Sequence, residues 1–392
     1  MIVIKNATLF TMESINGENG YVAFKNGKIE KTGRTFSSDR FKEYTVIDAK
    51  GAALTPGLVE AHCHVGIAEE GIMFEGNDLN ETTDPVYPEL RGLDSVNPRD
   101  KAFETTAASG VTTVVSGPGS ANIIGGTFAA MKTIGDTAEQ MVFVEETAMK
   151  MALGENPKRV YSGQKRSPST RMANAAILRE WLHKAKEYHE EWRAFDAGKA
   201  DKPAFNMKLH SLKRVFEGMP VKIHAHRSDD IMTAIRIVKE FDLDATIEHA
   251  TEAHLIPKSV KESGIPVILG PTLGARGKYE TSQRTFQSAA ILDKHEVPFS
   301  IMTDHPVVTT DNILVQAALF VKSGLSRQKA LEAITINAAR LSGIDDRVGS
   351  IAPGKDADLV LWDGDPFDIM TRPKTVYIEG KALARFEGGK HV

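Results

Sequence analysis

Histidine is the residue type with the most chemistry to offer in this chain, with 12 copies against a single cysteine, Cys63. A metal site here must therefore use imidazole and carboxylate. Those ligands suit a borderline or harder divalent cation, zinc first, with iron, manganese or cobalt as alternatives. The first pair closes the run Ala53-Leu54-Thr55-Pro56-Gly57-Leu58-Val59-Glu60-Ala61-His62-Cys63-His64. On a strand successive side chains alternate faces, so His62 and His64 point one way and Cys63 the other. Two imidazoles so placed can grip one cation, although the pair alone is weak evidence. The same grammar recurs downstream: Pro220-Val221-Lys222-Ile223-His224-Ala225-His226, then Ala245-Thr246-Ile247-Glu248-His249, then Phe299-Ser300-Ile301-Met302-Thr303-Asp304-His305. Any one of these alone reads as a histidine satisfied by hydrogen bonds at a loop. Together they place His or Asp at the C-terminal ends of separate apolar runs, in order along the chain.

The elements that must position these groups alternate between strand and helix. Asn97 with Pro98 opens a helix that Gly110 ends, ahead of the strand Val111-Thr112-Thr113-Val114-Val115. Ile231, Ala234, Ile235, Val238 and Phe241 recur at helical spacing before the His249 strand. Pro266-Val267-Ile268-Leu269 and Pro298-Phe299-Ser300-Ile301-Met302 are further strands. Such repetition makes a parallel sheet, and in a closed barrel the reactive groups gather at the strands' C-terminal ends. About seven barrel strands are clear by this pattern, and an eighth is expected near 141–155 or in the insert that follows. Ser116 to Asn122 with Gly125-Gly126 reads as a flexible loop shaping the pocket, and it lacks the ending of a phosphate-binding loop. In a helical insert of about 165–215, Ile177, Trp181, Ala185, Tyr188, Trp192 and Phe195 form an apolar stripe expected to pack on the barrel or on a neighbouring subunit; His183, His189 and His210 are expected at the surface. Both ends of the chain, 1–54 and 347–392, consist of short strand-like runs between Gly and Asn turns.

Composition narrows the partners. With 48 basic and 52 acidic side chains among 392 residues, the net charge is −4, and no long basic run suggests nucleic acid or an anionic membrane. A lone thiol forms no internal disulfide. No apolar run approaches the ~20 residues of a membrane span, and the first residues lack the apolar stretch of a secretion signal, so a cytoplasmic protein acting on a small molecule is expected.

The paired His62-His64, the later strand-end His224 and His249, and the final Asp304 resemble the amidohydrolase superfamily. So do Ile2-Val3-Ile4-Lys5-Asn6-Ala7-Thr8-Leu9, the approach from Asp48 to Gly57, and the run from Gly349 to Trp362. Within the superfamily, His224-Ala225-His226, Ile247-Glu248-His249 and Thr303-Asp304-His305-Pro306 are most similar to imidazolonepropionase-like enzymes. The resemblance implies an α/β (β/α)8 TIM barrel over 55–346 and a small β-sandwich assembled from 1–54 and 347–392. It implies a divalent cation on His62, His64, His224 and Asp304, which would bring a bound water to ionise near neutral pH. Asp304 would shuttle the proton to the leaving nitrogen, and His249 would bind a second cation or polarise the carbonyl. For a bridge between two ions, Glu155 is preferred to a carboxylated Lys150, because it is already anionic. His226, Glu252, His305 and Arg159 are the expected contacts to substrate or to the ligands, Arg159 facing a substrate carboxylate. The reaction expected is hydrolysis of a C–N bond in a cyclic amide, an imidazolone-like ring or an N-acyl compound by a homo-oligomeric enzyme. A prolidase-like metallodipeptidase is the alternative. A non-catalytic hydantoinase-like scaffold is a third reading, opposed by the retention of every expected ligand.

Overall fold

The computed structural model describes residues 1–383; the last part of the expected C-terminal unit, 384–392, lies outside the described residues. The N-terminal strands are β1 (Ile2–Phe10), β2 (Asn16–Lys25), β3 (Lys28–Gly33), β4 (Thr45–Asp48) and β5 (Ala53–Pro56). Eight more follow: β6 (Leu58–Cys63), β7 (Val111–Ser116), β8 (Ile124–Lys132), β9 (Val142–Ala152), β10 (Val221–Ala225), β11 (Ala245–His249), β12 (Val267–Leu269) and β13 (Phe299–Ile301). β14 (Leu359–Trp362), β15 (Pro373–Ile378) and β16 (Lys381–Ala382) complete the set.

β6 to β13 form one sheet, each strand bonded to its sequence neighbour. It curls into a TIM-like barrel, which side chains help to close: Glu60 on β6 accepts from the Thr303 amide (2.8 Å) and hydroxyl (2.6 Å) just beyond β13. The His64 amide donates to the His305 carbonyl at 3.0 Å across the same seam. β9 lies in the 141–155 window. Of the segment read as a loop, Gly117 to Ile123 is irregular, and Gly125 and Gly126 lie at the start of β8, which runs antiparallel to both β7 and β9. Two hairpin-type connections allow this reversal, whereas parallel neighbours need long crossovers. The sheet is therefore parallel apart from one inserted strand.

The register explains how a polar site sits in a buried sheet. Lys150 pairs with Lys222, Lys222 with Thr246, and His224 with Glu248. The alternate residues Val221, Ile223, Ile247, Val267 and Leu269 belong to the large apolar cluster shared with Ile231, Ala234, Ile235, Val238 and Phe241 of the helix Ser228–Phe241. One face of each strand packs on helices, and the other faces the barrel interior. Glu248 on β11 meets His62 on β6, and Lys150 on β9 meets the same ring. Neither strand is bonded to β6, so both contacts cross that interior.

The first helix after β6 starts at Lys101, one turn later than expected: Asp100 caps it by accepting the Ala102 amide, while Asn97 takes the Arg99 amide. On the long insert helix Arg171–Asp196 the buried line is Asn174, Ala175, Leu178, Leu182, Ala185 and Tyr188, so the seam is rotated from the expected stripe, and Trp192 and Phe195 stay part-exposed.

Strands from both chain ends share a second sheet, ordered β16-β15-β14-β5-β1-β2-β3 with β4 beside β1. Its core includes Ile4, Leu9, Val22, Phe24, Leu54, Leu359, Leu361 and Tyr377. Buried Lys132 of β8 ties this sheet to the barrel, 2.9 Å from Asp356 and 2.7 Å from Asp358.

Candidate metal centre

The open end of the barrel holds a cavity of about 310 Å³ whose wall includes His64, Lys150, His224, His226, His249 and Asp304. Four histidines share one arrangement. The Nδ1 of His62 lies 2.5 Å from Glu248 Oε2, that of His64 2.6 Å from the Gly117 carbonyl, that of His226 2.8 Å from Thr251 Oγ1, and that of His249 2.9 Å from the Gly270 carbonyl. For His62, His64 and His249 the partner can only accept, which fixes the proton at Nδ1 and leaves the Nε2 lone pair for a cation; the Thr251 hydroxyl beside His226 can donate or accept. His224 is fully buried with neither ring nitrogen hydrogen-bonded. A buried imidazole without partners is costly unless something else engages it. Burial, helped by neighbouring cations, pushes His62, His224, His226 and His249 well below the usual histidine range. They are neutral, the form that binds metal.

Two sets of three bring ligand atoms within 4.8 Å of one another: His62, His64 and Asp304, and His224, His226 and His249. Both sets are buried and fit divalent cations by donor type. Asp304 stands between them, with Oδ1 3.1 Å from His64 Nε2 and 3.6 Å from His62 Nε2, and Oδ2 3.9 Å from His249 Nδ1. His249 and Asp304 both have left-handed backbone, φ 70° and 56°. Such conformations cost roughly 1–3 kcal/mol each in a non-glycine residue. At His249 it overrides strand alternation, which would place the ring on the face opposite Glu248; the ring instead meets that of His224 edge-on, with centroids 4.2 Å apart.

Lys150 Nζ lies 3.2 Å from His62 Nε2, and burial lowers this amine to about 8. Glu155 is not in either ligand set. It begins the helix Glu155–Gly163, and its amide donates to Glu280 Oε2 at 3.0 Å. Glu155, expected ahead of Lys150 as the bridge, lies beyond the end of β9 and off the cavity wall, whereas Lys150 is on that wall. His226, expected on substrate, groups with His224 and His249. Glu252 lies outside the cavity wall and accepts the Ser228 amide (2.8 Å) and hydroxyl (3.0 Å), capping a helix rather than meeting substrate. His305 is buried, is not on the cavity wall, and is held by burial to about 4 despite Asp100 and Asp311 nearby. Arg159 is on the cavity wall. Cys63 packs in the apolar core, its Sγ 3.7 Å from the Val115 carbonyl.

Sequence reasoning passed over Glu60, Lys222 and Glu248 as functional residues. Lys222 Nζ donates to the Ala61 carbonyl at 3.1 Å and lies 3.6 Å from Glu248. The available signal was a charged residue inside each apolar run, such as Val221-Lys222-Ile223 or Ile247-Glu248-His249. Phe128 of β8, also unread, lies 5.0 Å from the His62 ring and gives the ligands an apolar support.

A barrel whose strand ends converge paired imidazoles and an aspartate on one cavity defines a class of barrel hydrolases that work with divalent metal. The pattern of the Amidohydrolase family matches residues 53–383. The chain belongs to that family, as an imidazolonepropionase-like member of a metal-dependent superfamily of hydrolases acting on carbon–nitrogen bonds. A solved amidohydrolase from Thermotoga maritima MSB8 is 41% identical, with a TM-score of 0.94, covering 98% of this chain and 100% of that one. An imidazolonepropionase of Thermoplasma volcanium is 26% identical over 89% of this chain and 85% of its own length. Amidohydrolase tasK of Hapsidospora irregularis is 28% identical over 97% of this chain, which spans 43% of that protein. Among the described residues, no helix is long and apolar enough to cross a membrane.

Proposed function

We propose that this protein hydrolyses a C–N bond of a cyclic amide, an imidazolone-like ring or an N-acyl compound, with Asp304 moving the proton. The observation that carries the reading is the place of Asp304, its two carboxylate oxygens directed at the two ligand sets. Divalent cations, zinc foremost, would supply an activated water and polarise the bond to be cut. His62, His64 and Asp304 would hold one ion, and His224 and His249 the other. Lys150, facing His62 from β9, replaces Glu155 as the proposed bridge, after carboxylation of its amine. Its low proton affinity favours that reaction, since only the neutral amine takes up carbon dioxide. Asp304, a carboxylate beside neutral imidazoles, accepts a proton from the attacking water and returns it to the departing nitrogen.

The filled set of buried ligands speaks against a non-catalytic scaffold. A small β-sandwich built by 1–54 and 347–392 beside a barrel of 55–346 is part of the proposal, supported by Phe24 of β2 packing edge-on against Tyr377 of β15 at 5.4 Å. Cytoplasmic action suits a lone buried thiol. The test is a screen of cyclic amides, N-acyl amino acids and Xaa-Pro dipeptides with zinc- or manganese-loaded enzyme. Turnover in one of the first two classes supports the reading, turnover of the dipeptides alone transfers it to the prolidase type, and none in any class removes it.

A further inference from the structure

Beside the second ligand set stands a carboxylate that no barrel strand delivers. Glu280 lies on the 3-10 turn Tyr279–Thr281, in the segment between β12 and β13, and is 1% exposed. Its Oε2 accepts the Glu155 amide at 3.0 Å, which fixes the direction of the carboxylate. Its Oε1 lies 3.7 Å from His226 Nε2 and 3.9 Å from His224 Nε2. Both separations are too long for hydrogen bonds. Oε1 and the two ring nitrogens of His224 are sealed from solvent, and none has a hydrogen-bond partner. Lys278 Nζ is 2.6 Å from Oε1 but at an angle unsuited to a hydrogen bond, and donates instead to Asn156 Oδ1 at 3.1 Å. Buried polar atoms left unpaired at such spacing are unfavourable unless something joins them. One ion can do so, because donors about 2.0–2.2 Å from a shared zinc stand no more than about 4.3 Å apart. Charge points the same way. The set of His62, His64 and Asp304 contains a carboxylate, whereas His224, His226 and His249 are neutral and contain none.

We infer that Glu280 is a further ligand of the cation held by His224, His226 and His249, brought to the barrel by the segment after β12 rather than by a strand end. This rests on the reading of the cavity as a two-ion hydrolase site and deepens it: each ion then has a carboxylate among its ligands, Asp304 on one side and Glu280 on the other. A buried dication surrounded only by neutral imidazoles would lack a counter-charge, and Glu280 provides one. The Lys278 ammonium and the cation compete for the same oxygen, Oε1.

The metal alone is the probe. Zinc-loaded protein titrated with a chelator of known affinity releases its two ions in separate steps, and each step gives an affinity. Glu280→Gln keeps the shape and an oxygen for the Glu155 amide but removes the charge. One ion should then be held about tenfold or more less tightly, with the other as in the parent. In cobalt-loaded protein the visible absorption of the weakened ion should change in the same variant. Lys278→Met removes the competing ammonium, so both ions should be held at least as tightly as in the parent. If Glu280 serves only as the partner of Lys278, Glu280→Gln keeps both ions at parental affinity, or Lys278→Met loses an ion to the same extent. Either result overturns the inference, as does a parent that holds a single ion. The hydrolase reading stands or falls separately, on turnover in the substrate screen.

Discussion

Asp304 touches both sets of imidazoles, so its charge and its proton affinity are the chemical variables of the site. Asp304→Asn keeps the shape and removes the base. Turnover should fall by about 10⁴-fold or more, at or above the top of the roughly 10²–10⁴ typical of a single acid–base group, because a ligand charge is lost as well, while the unfolding midpoint stays near that of the parent. Retained turnover would remove Asp304 from the mechanism. Glu248 acts through His62: its oxygen, 2.5 Å from Nδ1, sets the tautomer and the direction of the ring. Glu248→Gln should weaken metal binding by about 10–100-fold, measured by competition with a chelator of known affinity, and unchanged affinity would make the contact merely structural. The ligand pair at 62 and 64 was legible because strand alternation is a geometric rule. His249 was legible only as a strand-end residue, since the left-handed turn that aims it has no sequence signature in a histidine. Glu155 was favoured for its ready charge, and the point at which the strand stops, short of it, was not legible from composition.

At the scale of elements, β8 is the piece that periodicity missed. Gly125 and Gly126 argue for a loop by composition, yet the strand pairs on both edges and brings Phe128 beneath the histidines. Pairing energy from two neighbours overrides a local preference. β8 also carries Lys132, whose ammonium meets Asp356 and Asp358 across the boundary between barrel and terminal sheet. Removing one partner of a buried ionic group leaves the other uncompensated. Asp356 keeps Lys28 and Arg347, so Lys132→Ala should cost about 3 kcal/mol, the lower end for such a loss. Urea unfolding measures it, and a change under about 0.5 kcal/mol, the scatter of ordinary surface substitutions, would show that the two units are joined by packing alone.

For the molecule as a whole, the buried histidines couple folding to pH. His62, His224, His226, His249 and His305 are neutral when folded, with proton affinities below those of the unfolded chain, so stability is present above the unfolded value and is lost as pH falls through the folded one. His305, held to about 4 against an ordinary 6.5, contributes about 3 kcal/mol of that loss. His62, His224, His226 and His249 shift in the same direction. The metal-free protein should therefore melt at clearly lower temperature at pH 5 than at pH 7.5, and an equal melting temperature at both would contradict the buried, neutral state of these rings. The barrel itself was legible because alternating strand and helix patterns repeat along the chain; the inserted antiparallel strand and interior Lys222 were not, because they break that repetition where the site needs them.

The central claim is a centre for two cations bridged through Lys150 and sensed by Asp304. It is tested most directly by metal content per chain, measured by mass spectrometry after loading with zinc in bicarbonate buffer, for the parent and for Lys150→Met. Two ions per chain in the parent, falling to one or fewer in the variant, is the expected result. A parent chain that retains no metal, or a variant that still holds two, would contradict it.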